Sequence, residues 1–303
     1  MARFFCFGEI LWDLFPDGPR LGGAPFNQAV RLRGLGNEVV FVSRVGDDDL
    51  GRKALCEARS LGVDTTFIQR DTRHPTGAVK VTLESGGNPR FRILPGAAYD
   101  FIEYEEGLSR VAAESDCIVF GTLVQRTAVS RRALYAVLEA NRGKRTLLDV
   151  NLRRGCYTRT TVRRSLEYAD LLRMNEEEVK ALAGMFGLPG GTLRVMEALI
   201  ERFALEYCVA TLAERGALGL AASGRACYVA GYRVKVADTC GSGDAFTAGF
   251  VDALERGASL EEALEAGCRL GALAAMVPGG TGRLPRSLRS RGRVVDSRYR
   301  HYI

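Results

Sequence analysis

The sequence predicts an α/β fold: a mainly parallel sheet covered by helices on both faces, with a small β lid. Three observations predict it. Short apolar runs bounded by turns alternate with helical patterns along most of the 303 residues. Polar residues and glycines cluster where those runs end. One segment, 76–94, breaks the alternation with two runs of period two.

Taken in order, FFCFGEI (4–10) is a strand, followed by a turn at PDGP (16–19). LGGAPFNQAVRLRGLG (21–36) reads as a glycine turn feeding a helix that ends near Gly36. EVVFVSRVG (38–46) is a buried strand and DDLGRKALCEARSLG (48–62) a helix. TGAVKVTLESGGNPRFRIL (76–94) is a hairpin with one polar face, placed as a lid over a site. CIVFG (117–121), RTLLDVNL (145–152), DLLRMN (170–175) and YCVATL (207–212) are further apolar strands, most with helical segments between them. After the turn in DTCGSGDAFTAGF (238–250), Ala245, Phe246, Ala248, Phe250, Val251 and Leu254 recur at helical spacing. No internal repeat or low-complexity linker divides the chain, so one domain over 1–303 is expected.

Composition narrows the function. The chain is 47% hydrophobic and 26% charged, as in soluble globular proteins. The apolar stretch from Phe4 to Phe15 is broken by Glu9 and Asp13, and no run reaches membrane-span length. A cytoplasmic protein is expected. Eight scattered cysteines without a CxxC pair argue against a zinc site or a disulfide framework and read as buried, reduced thiols. Residues 283–303 hold seven arginines and one aspartate, which accounts for the whole net charge of +6. Without interleaved aromatics or a groove-reading motif, this tail reads as a solvated, partly ordered C-terminus and not as a nucleic-acid site. The absence of GxxxxGK[ST] and of GxGxxG after the first strand excludes a P-loop enzyme and weakens a dinucleotide fold. Two histidines, His74 and His301, do not make a triad or a multi-histidine metal centre.

What remains is polar residues at strand ends, where open α/β sheets bind ligands. Asp13 follows the first strand. Gly22, Gly23 and Asn27 open a helix. Asp149, Asn151 and Arg153 close the strand at 145–152, and Asn175 and Glu178 follow the strand at 170–175. Singly, such residues serve as helix caps; their joint occurrence at one type of junction points to a site. The turn before Asp244 leaves backbone N–H groups pointing one way, which with the helix dipole suits an anion. Asp244 can cap that helix or meet whatever the anion is attached to.

At these residues the sequence resembles the PfkB, or ribokinase-like, carbohydrate kinases. GGAPFN (22–27) resembles their N-terminal signature and DTCGSGDAFTAGF their C-terminal one. DVNLR and NEEE resemble the DxNxR and NxxE elements, in the family's order. The likeness runs from Phe5 to about Gly282 and leans toward the bacterial fructokinase branch, since Ala24 and Pro25 stand where ribokinases usually carry a lysine.

The resemblance implies a three-layer ribokinase-like fold, with lid segments at about 11–21 and 75–98. It implies an ATP-dependent sugar kinase, with fructose the leading acceptor and 2-keto-3-deoxygluconate or a ribokinase-type substrate as alternatives. Arg90 and Arg92 on the hairpin keep the keto acid open. By match, the amides of Gly241, Ser242 and Gly243 surround the γ-phosphate and Asp244 is the general base. Asp13, Gly22, Gly23 and Asn27 hold the sugar, and Arg153 contacts substrate or transferring phosphate. Asn175 and Glu178 organise Mg²⁺, in part through water. Thr211, Glu214 and Gly216 in TLAERG (211–216) match the nucleotide side, where Ala213 replaces a family glycine. RLGALAAMVPGGTG (269–282) resembles the segment flanking adenine. A monovalent cation near Asp238 and a homodimer through the lid are also implied.

Overall fold

The computed structural model describes residues 1–16, 18–83, 89–288, 290 and 292–302, without the side chains of 81–83 and 89–91. The chain begins with β1 (Arg3–Phe7), β2 (Leu11–Phe15), β3 (Gly18–Gly22), α1 (Ala24–Gly34), β4 (Glu38–Gly46), α2 (Asp49–Ser60) and β5 (Ile68–Asp71). Then come β6 (Gly77–Leu83), β7 (Pro89–Ile93), α3 (Glu106–Ala113), β8 (Cys117–Gly121), α4 (Ala128–Ala140), β9 (Arg145–Asp149), α5 (Arg159–Leu166) and β10 (Leu171–Asn175). The rest is α6 (Glu176–Phe186), α7 (Thr192–Phe203), β11 (Tyr207–Thr211), β12 (Ala217–Ala221), β13 (Ala226–Val229), β14 (Gly231–Tyr232), α8 (Ser242–Glu255), α9 (Leu260–Ala275) and β15 (Arg293–Val294).

The main sheet has the order β13-β12-β11-β10-β9-β8-β1-β4-β5. Every pairing from β5 to β11 is parallel, and β12 and β13 extend it antiparallel. Alternating side chains of each strand feed two cores. Phe4 and Cys6 of β1 pack with Phe26, Leu55, Phe250 and Leu264 from α1, α2, α8 and α9. Phe5 and Phe7 face the other way, toward Leu108, Leu134, Val162, Leu182 and Leu199 from α3 to α7. This is the expected three-layer arrangement. The strand order reverses between β1 and β8, so a crevice opens outside their carboxyl ends.

The small sheet has the order β3-β2-β6-β7. The hairpin expected at 76–94 is its β6–β7 pair, and its turn at 84–88 lies outside the described residues. The turn at 16–19 joins β2 to β3, with Asp17 outside the described residues. The parallel β2–β6 seam ties the two lid segments together.

Three sequence expectations are corrected. The strand expected over 145–152 stops at Asp149, because Asn151 turns into the left-handed region at φ 39° and bends the chain out of the sheet. Cys56 is exposed, whereas Cys6, Cys117, Cys208, Cys227 and Cys268 are buried. The C-terminal tail is not simply solvated: β15 pairs with β14, and Asp296 and Tyr299 are buried. Ion pairs absorb its charge, with Arg293 on Glu265 and Arg298 on Asp296.

Helix α8 owes its position to α9. A Cβ on Gly249 would lie 2.8 Å from the Ala266 carbonyl oxygen, which is rigid backbone. Gly249→Ala is therefore expected to lower stability by about 1–3 kcal/mol despite alanine's better helix propensity. A urea midpoint that falls with an unchanged m-value would show it.

Candidate active site

The site is built around the N-terminus of α8. Asp238 forms the turn before it: Oδ1 accepts the Cys240 N–H at 2.9 Å and Oδ2 accepts the Gly279 N–H at 2.9 Å. One carboxylate thus joins the segments at 238–241 and 278–282, and Arg20 of β3 pairs with it at 3.4 Å. Gly241 takes φ 75°, and a Cβ there would lie 2.4 Å from the Gly280 Cα. The turn is therefore closed to other residues on two counts. No side chain caps α8 at Gly241; the Ser242 N–H turns back to the Thr239 carbonyl at 3.2 Å, while the Gly241 and Gly243 amides have no partner among the described residues and are left for an external anion.

Asp244 stands in that first turn. Its Oδ2 accepts the Asn27 Nδ2–H at 2.7 Å, so the two glycine-rich motifs, 217 residues apart, meet in one hydrogen bond. Asn27 is held by α1, which starts at Gly23 with φ 113° and a backbone so close to the Glu9 carbonyl that a Cβ would sit 2.3 Å from its oxygen. A Cβ on Gly22 would lie 3.1 Å from Asp13 Oδ2 and 3.8 Å from Asn27 Oδ1. Asp13, Gly22, Gly23, Asn27 and Asp244 are therefore one cluster. Asn27 Oδ1 is buried and keeps an unused acceptor.

Beneath it lies a buried network that sequence reading only half found. Asp149 Oδ2 accepts Gln28 Nε2–H at 2.7 Å and Thr247 Oγ1–H at 2.9 Å, while Oδ1 accepts Arg173 Nη1–H at 3.1 Å. Arg173, on β10 and 7% exposed, also donates from Nη2 to Thr211 Oγ1 at 2.9 Å. Its guanidinium lies so near the anion turn that a Cβ on Gly243 would be 2.6 Å from Nη2. Arg173 went unread; the available signal was an arginine inside an otherwise apolar strand, which is rarely buried without a partner.

Burial raises the Asp244 carboxyl to about 6, with nearby Asp149 adding to the effect; the Asn27 hydrogen bond, Arg173 and Arg153 oppose it. Burial likewise raises Asp13 to about 6, against Arg153 and Arg20. Glu9, also missed, is raised to about 7 by burial, and its Oε2 has no hydrogen-bond partner. Glu9, Gln28 and Asp149 line a narrow cleft at the β1–β8 crevice. Arg153 is exposed and has no ion pair among the described residues, yet its charge acts on Glu9, Asp13 and Asp244.

Asn175 and Glu178 form a reciprocal cap on α6. Asn175 Oδ1 accepts the Glu178 N–H at 2.9 Å, and Glu178 Oε2 accepts the Asn175 N–H at 2.8 Å. Glu178 Oε1 also accepts the Leu152 N–H at 2.9 Å, tying this cap to the loop that carries Arg153. Thr211 joins the network through Arg173. Ala213 adopts φ 53°, a left-handed backbone that favours glycine. Gly216 packs on the Val229 carbonyl, where a Cβ would clash at 1.9 Å. Glu214 is exposed and makes no hydrogen bond or ion pair among the described residues. Ser242 lies in the α8 first turn beside Gly241 and Gly243, its hydroxyl buried without a partner. No helix among the described residues is long and apolar enough to cross a membrane.

Known proteins are similar to this chain in sequence and fold. The model of the pfkB family carbohydrate kinases matches residues 18–286. A fructokinase of Klebsiella pneumoniae is 30% identical over 265 residues, covering 84% of each chain. The crystal structure of a Vibrio cholerae O395 fructokinase, in its fructose, ADP and calcium ion bound form, superposes with a TM-score of 0.80 at 27% identity; the match covers 94% of this chain and 96% of that one. A 2-dehydro-3-deoxygluconokinase of Thermotoga maritima has a TM-score of 0.82 at 20% identity, covering 94% and 97%, and shares the fold. With its two glycine motifs meeting at the Asn27–Asp244 bond and its family match spanning both, the chain belongs to the pfkB family of carbohydrate kinases, phosphotransferases that act on an alcohol group.

Proposed function

We propose that the chain transfers the γ-phosphate of Mg·ATP to the 6-hydroxyl of fructose. The observation that carries this reading is the bond between Asn27 and Asp244 at the mouth of α8. It sets a carboxylate, fixed by an amide, between a pocket of hydroxyl-binding groups and a turn whose Gly241 and Gly243 amides have no partner among the described residues. Asp13 Oδ2 and Asn27 Oδ1 accept hydrogen bonds from sugar hydroxyls over Gly22. Asp244 orients the reacting hydroxyl and takes its proton as the new P–O bond forms and the bond to ADP breaks. The amides of Gly241, Ser242 and Gly243 and the buried Arg173 receive the charge on the transferring group. Arg153 reaches the substrate or that group from the open side. Thr211, Glu214 and Gly216 stand on the nucleotide side.

The residues also fit a magnesium ion that keeps most of its waters. Among the described residues no cluster of three or more His, Cys, Asp or Glu side chains suits a directly bound metal. Glu178 and Asn175, already engaged with backbone amides, would hold its waters. Bound there, the ion offsets phosphate charge. A monovalent cation near Asp238 and a homodimer through the small sheet belong to the same reading.

Fructose is favoured by the charge around the pocket: Glu9, Asp13 and Asp244 face Arg153, which has no ion pair among the described residues. Such a lining suits hydroxyls and disfavours an acidic sugar. A 2-keto-3-deoxygluconate acceptor is the second reading, supported by Arg153, whose free guanidinium suits a carboxylate.

Coupled ADP release over a panel of fructose, 2-keto-3-deoxygluconate, ribose, glucose, tagatose and adenosine tests both. Fructose is expected to give the highest kcat/KM; preference for the keto acid would overturn the substrate, and no turnover on any sugar would leave a silent homologue. Asp244→Ala is expected to lower kcat by about 10²–10⁴-fold with ATP binding retained. Because the base must be ionised, kcat/KM for the sugar should fall as pH drops through about 6, the Asp244 value. The same raised value means the charged form is disfavoured in the fold above that pH. Asp244→Asn should therefore stabilise the protein at pH 7.5 by about 1–2 kcal/mol, with the gain vanishing near pH 4, where even an unfolded aspartate takes a proton. Denaturant midpoints at the two pH values would read it.

A further inference from the structure

The C-terminal tail does not end in solvent. It returns to the turn between β11 and β12. Asp296, 5% exposed, accepts from Arg298 Nε at 3.0 Å and Nη2 at 2.6 Å. Arg298 Nη2 also donates to Glu176 Oε1 at 2.9 Å, in the first turn of α6. Arg215 closes the ring: it pairs with Glu176 Oε2 and lies 3.5 Å from Asp296 Oδ2. The four charges cancel. Tyr228 adds a neutral link, its hydroxyl donating to the Arg215 carbonyl at 2.6 Å and accepting the Asp296 N–H at 2.7 Å. Tyr299, 8% exposed, anchors the strap in the core beside Tyr228, with ring centroids 6.0 Å apart.

Arg215 sits two residues after Ala213, whose left-handed backbone disfavours any residue with a Cβ. Such a conformation persists only where its surroundings over-determine it. Here they do: the Leu212 N–H bonds the Gly216 carbonyl at 2.8 Å inside the turn, the strap's Asp296 holds the Arg215 side chain from outside, and Tyr228 of β13, itself accepting the Asp296 N–H, holds the Arg215 carbonyl. The same ring fixes Glu176, the residue next to the Asn175 cap.

We propose that the C-terminal strap is a positioning element of the nucleotide side, in which Asp296 and Arg298 act through Arg215 and Glu176 to hold the 212–216 turn in shape around Ala213. The proposal rests on the reading of that turn as the ATP side. The alanine and the tail are then one device: the ion-pair ring supplies the constraint that makes a non-glycine residue tolerable there.

Arg298→Gln and Asp296→Asn test it in the full chain, with hydrogen exchange measured without nucleotide. The turn amides of Leu212 and Gly216 should exchange about tenfold faster or more, while amides of β9 and β10 stay unchanged. In the kinase assay, KM for ATP should rise by about three- to tenfold, an effect that falls on neither kcat nor the sugar KM. Adding Ala213→Gly to Arg298→Gln should recover most of the ATP KM, which a general loss of stability would not allow. Unchanged turn exchange overturns the strap, whether or not the chain uses ATP. Faster exchange with an unchanged ATP KM overturns its role on the nucleotide side. A parent chain that turns over no sugar defeats the kinase reading, and the exchange result still decides the strap.

Discussion

The site depends on one buried ion pair, Arg173 with Asp149. Asp149 anchors α1 through Gln28, α8 through Thr247 and β10 through Arg173, so three elements from distant parts of the chain share one carboxylate. Arg173 in turn holds Thr211 and packs under Gly243. A buried pair of this kind adds little net stability, but losing either partner leaves an uncompensated charge. What the pair supplies is registration. It fixes the anion turn relative to the ends of β9, β10 and β11, and it places a permanent cation beside first-turn amides that already favour negative charge.

Close backbone approach does the rest. Gly23 against the Glu9 carbonyl and Gly241 against Gly280 bring segments together at distances that no side chain would allow. The carbohydrate-side and phosphate-side motifs therefore meet by main-chain packing, and Asn27 reaches Asp244 from a fixed origin. Rigid placement of this type is what a phosphoryl-transfer site requires, since its catalysis is mostly positioning and electrostatics.

The fold was legible because parallel strands buried on both faces read as continuous apolar runs, and CIVFG is buried at every position. The cluster was legible because Gly22, Gly23, Asn27 and Asp244 lie at a strand end or helix start with their own local signals; Asp13, expected to follow the first strand, sits in the middle of β2. Arg173 and Glu9 were not, because their meaning comes from neighbours far away in sequence: Asp149, Thr211 and Gly243 for one, the Gly23 turn for the other. The tail misled for a related reason. Seven arginines suggest a solvated end when counted, but Arg293 and Arg298 find Glu265, Asp296 and Glu176 only once the chain has folded. Ala213 was visible as a departure from the family's glycine, but its left-handed backbone, φ 53°, was not.

The charges are divided with a sharp boundary. On the side proposed to hold the sugar lie Glu9, Asp13 and Asp244, acids whose protons are held more tightly than usual because burial disfavours their charge. On the phosphate side lie uncapped amides and Arg173, which favour negative charge. Asp244 belongs to both sides, since it is also the acidic residue of the α8 first turn. A carboxylate there is pulled toward ionisation by the helix start and the arginines and away from it by burial and Asp149. That balance leaves it ionised near neutral pH yet a better proton acceptor than a solvated aspartate. In the proposed reaction, a proton leaving the sugar hydroxyl is thus taken up on the acidic side, while the charge that moves with the phosphoryl group is met on the other, within one turn of one helix.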